Sequence, residues 1–100
     1  MYMIFWQFRT KHGHAAEFER LYGPDGGWVR LFRKSRAYRG SELFRDVQEA
    51  HRYVAIDRWE NPAAYDAFKA EHADDFRAVE AMCAPYCSEE SCLGRFVLVG

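Results

Sequence analysis

Tyr2–Arg9 reads YMIFWQFR, and six of its first seven residues are apolar. Successive side chains of a strand point to opposite faces, so Tyr2, Ile4, Trp6 and Phe8 line one face while Met3, Phe5 and Gln7 line the other. Both faces ask for cover. A chain of 100 residues has enough material to lay helices over one face of a small sheet, but not over both. A second copy of the same sheet is the simplest cover for the other, and the strand therefore predicts a homodimer.

Outward from this strand, Lys11-His12-Gly13 makes a turn, and Ala15 to Tyr22 places Phe18, Leu21 and Tyr22 on one side of a short helix. Gly23 to Gly27 (GPDGG) ends that helix and predicts a mobile hinge. Trp28, Leu31 and Phe32 then predict a second short helix to about Lys34, with Arg30, Arg33 and Lys34 on its wet side. Tyr38–Asp46 (YRGSELFRD) and Arg52–Trp59 (RYVAIDRW) read as an antiparallel pair of strands, and Gly40 marks a bulge or a close approach. Asn61-Pro62 opens a long helix, since asparagine caps free amides and proline at the first position loses no bond. Its inward stripe to about Cys83 is Tyr65, Phe68, His72, Phe76, Val79 and Cys83. Pro85 ends it. Ser88 to Ser91 reads as a polar segment with one helical turn, and Arg95–Val99 (RFVLV) as a last strand. The order strand, helix, strand, strand, helix, strand over residues 1–100, read as one domain, predicts an α+β fold. It is the ferredoxin-like βαββαβ arrangement, a four-stranded antiparallel sheet with helices on one face.

Composition narrows the function classes. At 49% hydrophobic and 17% aromatic the chain is too apolar to be disordered. With 14 Lys and Arg against 15 Asp and Glu it carries no positive excess to attract phosphate backbones, so nucleic acid is not an expected partner. The N-terminal apolar run stops at Gln7 without a basic lead-in or a small-residue cleavage site; it reads as neither a secretion signal nor a membrane span, and a cytoplasmic location is expected. Cys83, Cys87 and Cys92 form no Cys-x-x-Cys pair and have no histidine nearby in sequence, so they read as reduced, small packing residues and not as metal ligands. Gly23 to Gly27 follows a helix and contains no lysine, which weighs against a phosphate loop.

Three stretches together carry a family likeness: HGHAAEFERLYGPDGGWVRLFR, YRGSELFRD and YVAIDRWENPAAYDAF. Their order and motifs resemble the antibiotic biosynthesis monooxygenase (ABM) group of the dimeric α/β-barrel superfamily over nearly the whole chain. One departure is Arg36-Ala37-Tyr38, where many members carry Pro-Gly-Tyr. The resemblance implies a homodimeric α/β barrel with a pocket in each subunit between sheet and helices. It further implies either O₂-dependent oxidation of quinol-like or polycyclic aromatic small molecules without metal or flavin, or heme breakdown. In the heme-degrading branch, however, the pocket asparagine, tryptophan and histidine would fall on Trp6, Phe68 and near Ala78, all substituted here.

Cofactor-free oxygenation needs an apolar cavity and a group that takes a phenolic proton. His72, between Phe68 and Phe76 on the inward stripe, is the candidate base, a packed core histidine being the competing reading. Trp6, Trp28, Tyr53, Trp59, Tyr65 and Phe68 are candidate walls for a flat ligand, with plain core as the alternative. Asp57 shares a strand face with Tyr53 and Trp59; a carboxylate there must be paired or functional, and Arg45 is a candidate partner. The sequence thus predicts a cofactor-independent monooxygenase, the alternative being a non-catalytic dimeric module that binds an aromatic metabolite.

Overall fold

The computed structural model describes residues 1–100. In chain order the elements are β1 (Tyr2–Thr10), α1 (Ala15–Tyr22), α2 (Gly27–Phe32), β2 (Tyr38–Arg45), β3 (Arg52–Trp59), α3 (Pro62–Glu71), α4 (Ala73–Cys83) and β4 (Cys87–Val97). The strands form one antiparallel sheet in the order β2-β3-β1-β4, as the ferredoxin-like reading requires. β1, the most apolar strand, lies inside the sheet and pairs on both edges.

The sheet face that carries Tyr2, Ile4, Phe8, Tyr53 and Trp59 is buried beneath the helices. Trp59 is fully enclosed, with the rings of Phe32, Tyr38, Tyr65 and Phe68 at centroid distances of 5.2 to 5.3 Å. Edge-on and tilted contacts of this kind add to the large area an aromatic side chain removes from water. A second cluster, Phe8, Phe18, Tyr53 and Ala55, lies toward α1. No helix in the chain is long and apolar enough to cross a membrane.

α3 starts where the sequence says it should. Asn61 Oδ1 accepts the Ala64 amide at 2.8 Å, and Pro62 fills the first helical position. The single long helix expected beyond it is two helices. His72 leaves helical geometry at φ −109° and ψ 30°, and the chain resumes as α4 at Ala73. The apolar stripe survives this break because the Phe76 amide still bonds the His72 carbonyl at 3.0 Å. At the C-terminus the helical turn falls at Ala84–Tyr86, and the polar segment from Ser88 to Ser91 belongs to β4. β4 therefore begins eight residues before the apolar run that announced it, its polar half held by pairing with β1. Of the three thiols, Cys83 is buried and Cys87 half-buried, whereas Cys92 is exposed, so the packing role does not extend to it.

The glycines between α1 and α2 serve close approach. A Cβ on Gly26 would stand 2.0 Å from the Leu21 carbonyl oxygen, and one on Gly23 would stand 2.5 Å from that of Glu19. The segment is also bonded across itself, Gly23 N–H to Glu19 O at 2.9 Å and Gly26 N–H to Gly23 O at 3.0 Å. This packing replaces the expected hinge with a tight corner. Gly26→Ala is expected to cost at least the roughly 1–3 kcal/mol typical of overpacking, because the obstructing atom is backbone and cannot swing away. Thermal denaturation followed by circular dichroism reads this directly; an unchanged midpoint would mean that the corner relaxes.

Candidate functional site

Between the helix-facing side of the sheet and the helices lies a cavity of about 80 Å³. Its floor comes from the strands, with Trp6 and Phe8 on β1 and Ala55 and Asp57 on β3. Its roof comes from the helices, with Trp28, Val29 and Phe32 on α2, Tyr65 on α3 and Phe76 on α4. By the room one water requires, the space holds several water molecules or part of a small aromatic ring system. A second cavity of about 240 Å³ adjoins it and shares Tyr22, Trp28, Glu80 and Glu90. Glu80 and Glu90 give the shared wall an acidic character. Burial, followed by the nearby Glu80 charge, holds the Glu90 carboxyl above its ordinary value.

Asp57 is the ionisable group that the sheet floor contributes to the chamber, beside Trp6 and Ala55. It is mostly buried, and burial raises its carboxyl to about 6, against the lowering effect of the donors Ser41 and Trp6 beside it. Ser41 donates to Asp57 Oδ1 at 2.6 Å and is itself 2.5 Å from the Tyr38 hydroxyl. A carboxylate in this state is charged at neutral pH yet more basic than an exposed aspartate, the combination that suits a proton acceptor. Opposite it, Tyr65 is pushed up to about 12, chiefly by burial, so its phenol stays protonated and able to donate. The Trp28 Nε1–H is buried without a partner. A buried donor of this kind costs free energy until something accepts from it.

Four of the eight residues singled out from the sequence line this chamber: Trp6, Trp28, Asp57 and Tyr65. The other four lie elsewhere. Trp59 and Phe68 are enclosed in the core, and Tyr53 is buried with its hydroxyl on Glu19 Oε2 at 2.5 Å. His72 does not line the cavity. The helix break that it occupies lays its ring on Phe68 at a centroid distance of 4.3 Å and brings Nδ1 to 3.1 Å from Asp75. Arg45 does not reach Asp57 either; its guanidinium is 3.7 Å from Glu19. Sequence reasoning passed over Ser41, Tyr38 and Tyr22. The signal for the first two was present in Gly40, whose bulge decides where they point.

No group of three or more His, Cys, Asp and Glu side chains is placed to hold a metal ion. Residues 1–81 match the family model described as antibiotic biosynthesis monooxygenase. No curated protein matches the chain. Among solved structures, SnoaB of Streptomyces nogalater, described as a cofactor-independent oxygenase, is 20% identical, with 99% of this chain and 93% of that one covered at a TM-score of 0.75. An uncharacterized NIPSNAP domain protein from Burkholderia xenovorans is 17% identical over 99% and 95% of the two chains, TM-score 0.73. PA3566 from Pseudomonas aeruginosa is 15% identical over 99% and 94%, TM-score 0.70. Likeness at these identities establishes a shared fold and leaves the chemistry to the residues of the site.

Proposed function

Because the chain belongs to the antibiotic biosynthesis monooxygenase family, we propose that it is a cofactor-independent monooxygenase that oxidises a quinol-like or polycyclic aromatic phenol with O₂. The observation that carries this reading is Asp57: a carboxylate on the sheet floor, raised to about 6 by burial, among the aromatic rings that line the cavity. Family membership and the oxygenase chemistry named for SnoaB support the reaction class.

The chemistry asks little of the protein beyond a base and a dry, shaped space. Asp57 takes a proton from the substrate, and the resulting delocalised anion is electron-rich enough to reduce O₂ by one electron. Recombination of the radical pair forms a C–O bond and a peroxide anion, which recovers the proton from Asp57. Loss of water then leaves a carbonyl. For a substrate with a reactive CH₂, as in an anthrone, the sum is CH₂ + O₂ → C=O + H₂O, a four-electron oxidation matched by the four-electron reduction of O₂. Apolar walls favour the neutral substrate and sharpen the electrostatics of the anion. His72, outside the lining, has no step in this sequence.

The test is O₂ uptake by the purified protein over a panel of anthrones, naphthoquinols and catechols, with the oxidised product quantified alongside. At least one member is expected to be consumed with one equivalent of O₂ per carbonyl formed. Panel compounds that quench tryptophan fluorescence but consume no O₂ would replace this reading with that of a non-catalytic aromatic-binding module.

A further inference from the structure

β2 departs from regular strand geometry at one place, just before Ser41, which lines the cavity. Tyr38 pairs with Trp59 and Gly40 with Arg58, so Arg39 is an extra residue, and Gly40 sits at φ +106°, a conformation that side chains rarely adopt. On an unbroken strand, residues three apart point to opposite faces. The extra residue brings Tyr38 and Ser41 to the same face, close enough for their hydroxyls to meet at 2.5 Å. Beyond Ser41 lies Asp57, its cross-strand partner.

Resting on the assignment of Asp57 as the base, we propose that Tyr38 and Ser41 are its positioning residues. Their donor chain, Tyr38 hydroxyl to Ser41 Oγ to Asp57 Oδ1, occupies one carboxylate oxygen and leaves the other to take the substrate's proton. Proton counting fixes the direction of the chain. Ser41 has a single hydroxyl proton and spends it on Asp57 at 2.6 Å. The Tyr38–Ser41 contact therefore has Tyr38 as donor. Burial holds the Tyr38 phenol above its ordinary value, so that donor stays protonated. With Tyr38 donating into Ser41, the serine proton is directed at the carboxylate, and the plane of that carboxylate is held against the cavity.

Of the other polar groups around Asp57, only the Trp6 indole also acts on it as a donor. β1 contributes the Trp6 indole, α1 the Tyr22 hydroxyl, α3 Tyr65 and Lys69, α4 Glu80 and β4 Glu90, all on the cavity lining. Arg33, just past α2, acts on Tyr38. Lys69 is the only cation on that lining, and no ion pair joins it to Asp57.

The experiment does not depend on finding the substrate. Carboxyl ¹³C NMR of aspartate-labelled protein follows the Asp57 titration in wild type, Ser41→Ala, Ser41→Thr, Tyr38→Phe and Gly40→Ala. Ser41→Ala is expected to raise it by about one to two pH units, the scale of a lost hydrogen bond to a charged group. Ser41→Thr, which keeps the hydroxyl, is expected to restore the wild-type value. Tyr38→Phe and Gly40→Ala should each give a smaller rise of the same sign, the first by removing the donor and the second by straining the bulge that aims it. An Asp57 titration unchanged in Ser41→Ala overturns the chain, whatever the turnover. With an accepted substrate in hand, the acid limb of the kcat profile is expected to move upward with the titration while KM holds. A shifted titration beside an unmoved kcat profile overturns the positioning role and with it Asp57 as the base. Absence of turnover on every panel compound, with the titration shifted as expected, leaves the donor chain standing and removes the oxygenase reading alone.

Discussion

Asp57→Asn is expected to lose turnover by about 10² to 10⁴-fold, the usual worth of a general base, and at the same time to make the protein more stable at neutral pH. The two effects have one cause. Burial raises the folded-state carboxyl to about 6 from an unperturbed 3.8. A raised carboxyl binds more protons in the folded than in the unfolded chain, so this group's contribution to stability is fullest below pH ~4 and is lost as pH rises through about 6. The loss above that point is up to about 3 kcal/mol, from roughly two units at 1.36 kcal/mol each. Asparagine keeps the shape and the Ser41 hydroxyl's acceptor but carries no charge to desolvate. The variant should therefore unfold at higher denaturant than wild type at pH 7.5, and the gap should close toward pH 4. Asp46 and Asp75, held below their ordinary values first by the Gln48 amide and by His72 respectively, act with the opposite sign. Both are present in each protein and cancel in the difference. Paired urea titrations at the two pH values measure it. An inactive Asp57→Asn that is also less stable at pH 7.5 would assign Asp57 to structure, whereas wild-type turnover would remove it from catalysis altogether. His72→Ala is the companion control and is expected to retain turnover.

What the sequence disclosed, it disclosed through local chemistry. β3 could be read to the residue because RYVAIDRW alternates cleanly, and the start of α3 because Asn61 and Pro62 each perform one known task. The break at His72 has no comparable signal: no glycine or proline marks it, and the apolar spacing runs through it undisturbed. β4 was half hidden because the residues from Ser88 to Ser91 are polar, and only the partner strand makes them extended. The same division holds at the site. Periodicity says which side chains face inward: it turned Trp6 and Asp57 to the helix-covered face of the sheet and Tyr65 to the inner face of its helix. It does not say which inward side chains meet empty space. Trp59, Tyr53 and Phe68 face the same way and are packed solid, since ring contacts made by residues distant in sequence close the space around them. Ser41 was passed over for a related reason, although Gly40 beside it signalled the bulge. Counted along a regular strand, it and Tyr38 belong to opposite faces, and only the register shift at Gly40 unites them.

Phe5→Lys is expected to convert a homodimer into monomer or aggregate, with the two-subunit association weakened by more than about 100-fold. Phe5 lies on the sheet face away from the helices, in a patch with Met3, Val54 and Ile56, all half-buried. The rows across that face are Arg58, Met3 and Phe96; then Glu42, Ile56, Phe5 and Gly94; then Phe44, Val54 and Gln7. Phe96 meets Phe5 edge-on at 5.3 Å, its ring folded over Gly94, yet it remains 52% exposed, and Phe44 is 46% exposed. Apolar rings at the centre with the Arg58–Glu42 pair beside them form the composition of an interface core and its rim. All four helices pack on the opposite face and leave this patch uncovered. A second sheet laid face to face is the expected occupant, and Phe5 would then stand at the centre of the contact. A lysine there would bury an unpaired ammonium, which costs about 3–5 kcal/mol and so two or more orders of magnitude in dissociation constant. Sedimentation velocity at micromolar concentration is expected to show the wild type at twice the chain mass and Phe5→Lys at the monomer mass or in aggregates. A wild-type protein that sediments as a stable monomer would mean that this face is simply tolerated in water. The helix-facing cavity with Asp57 would then have to function within a single subunit.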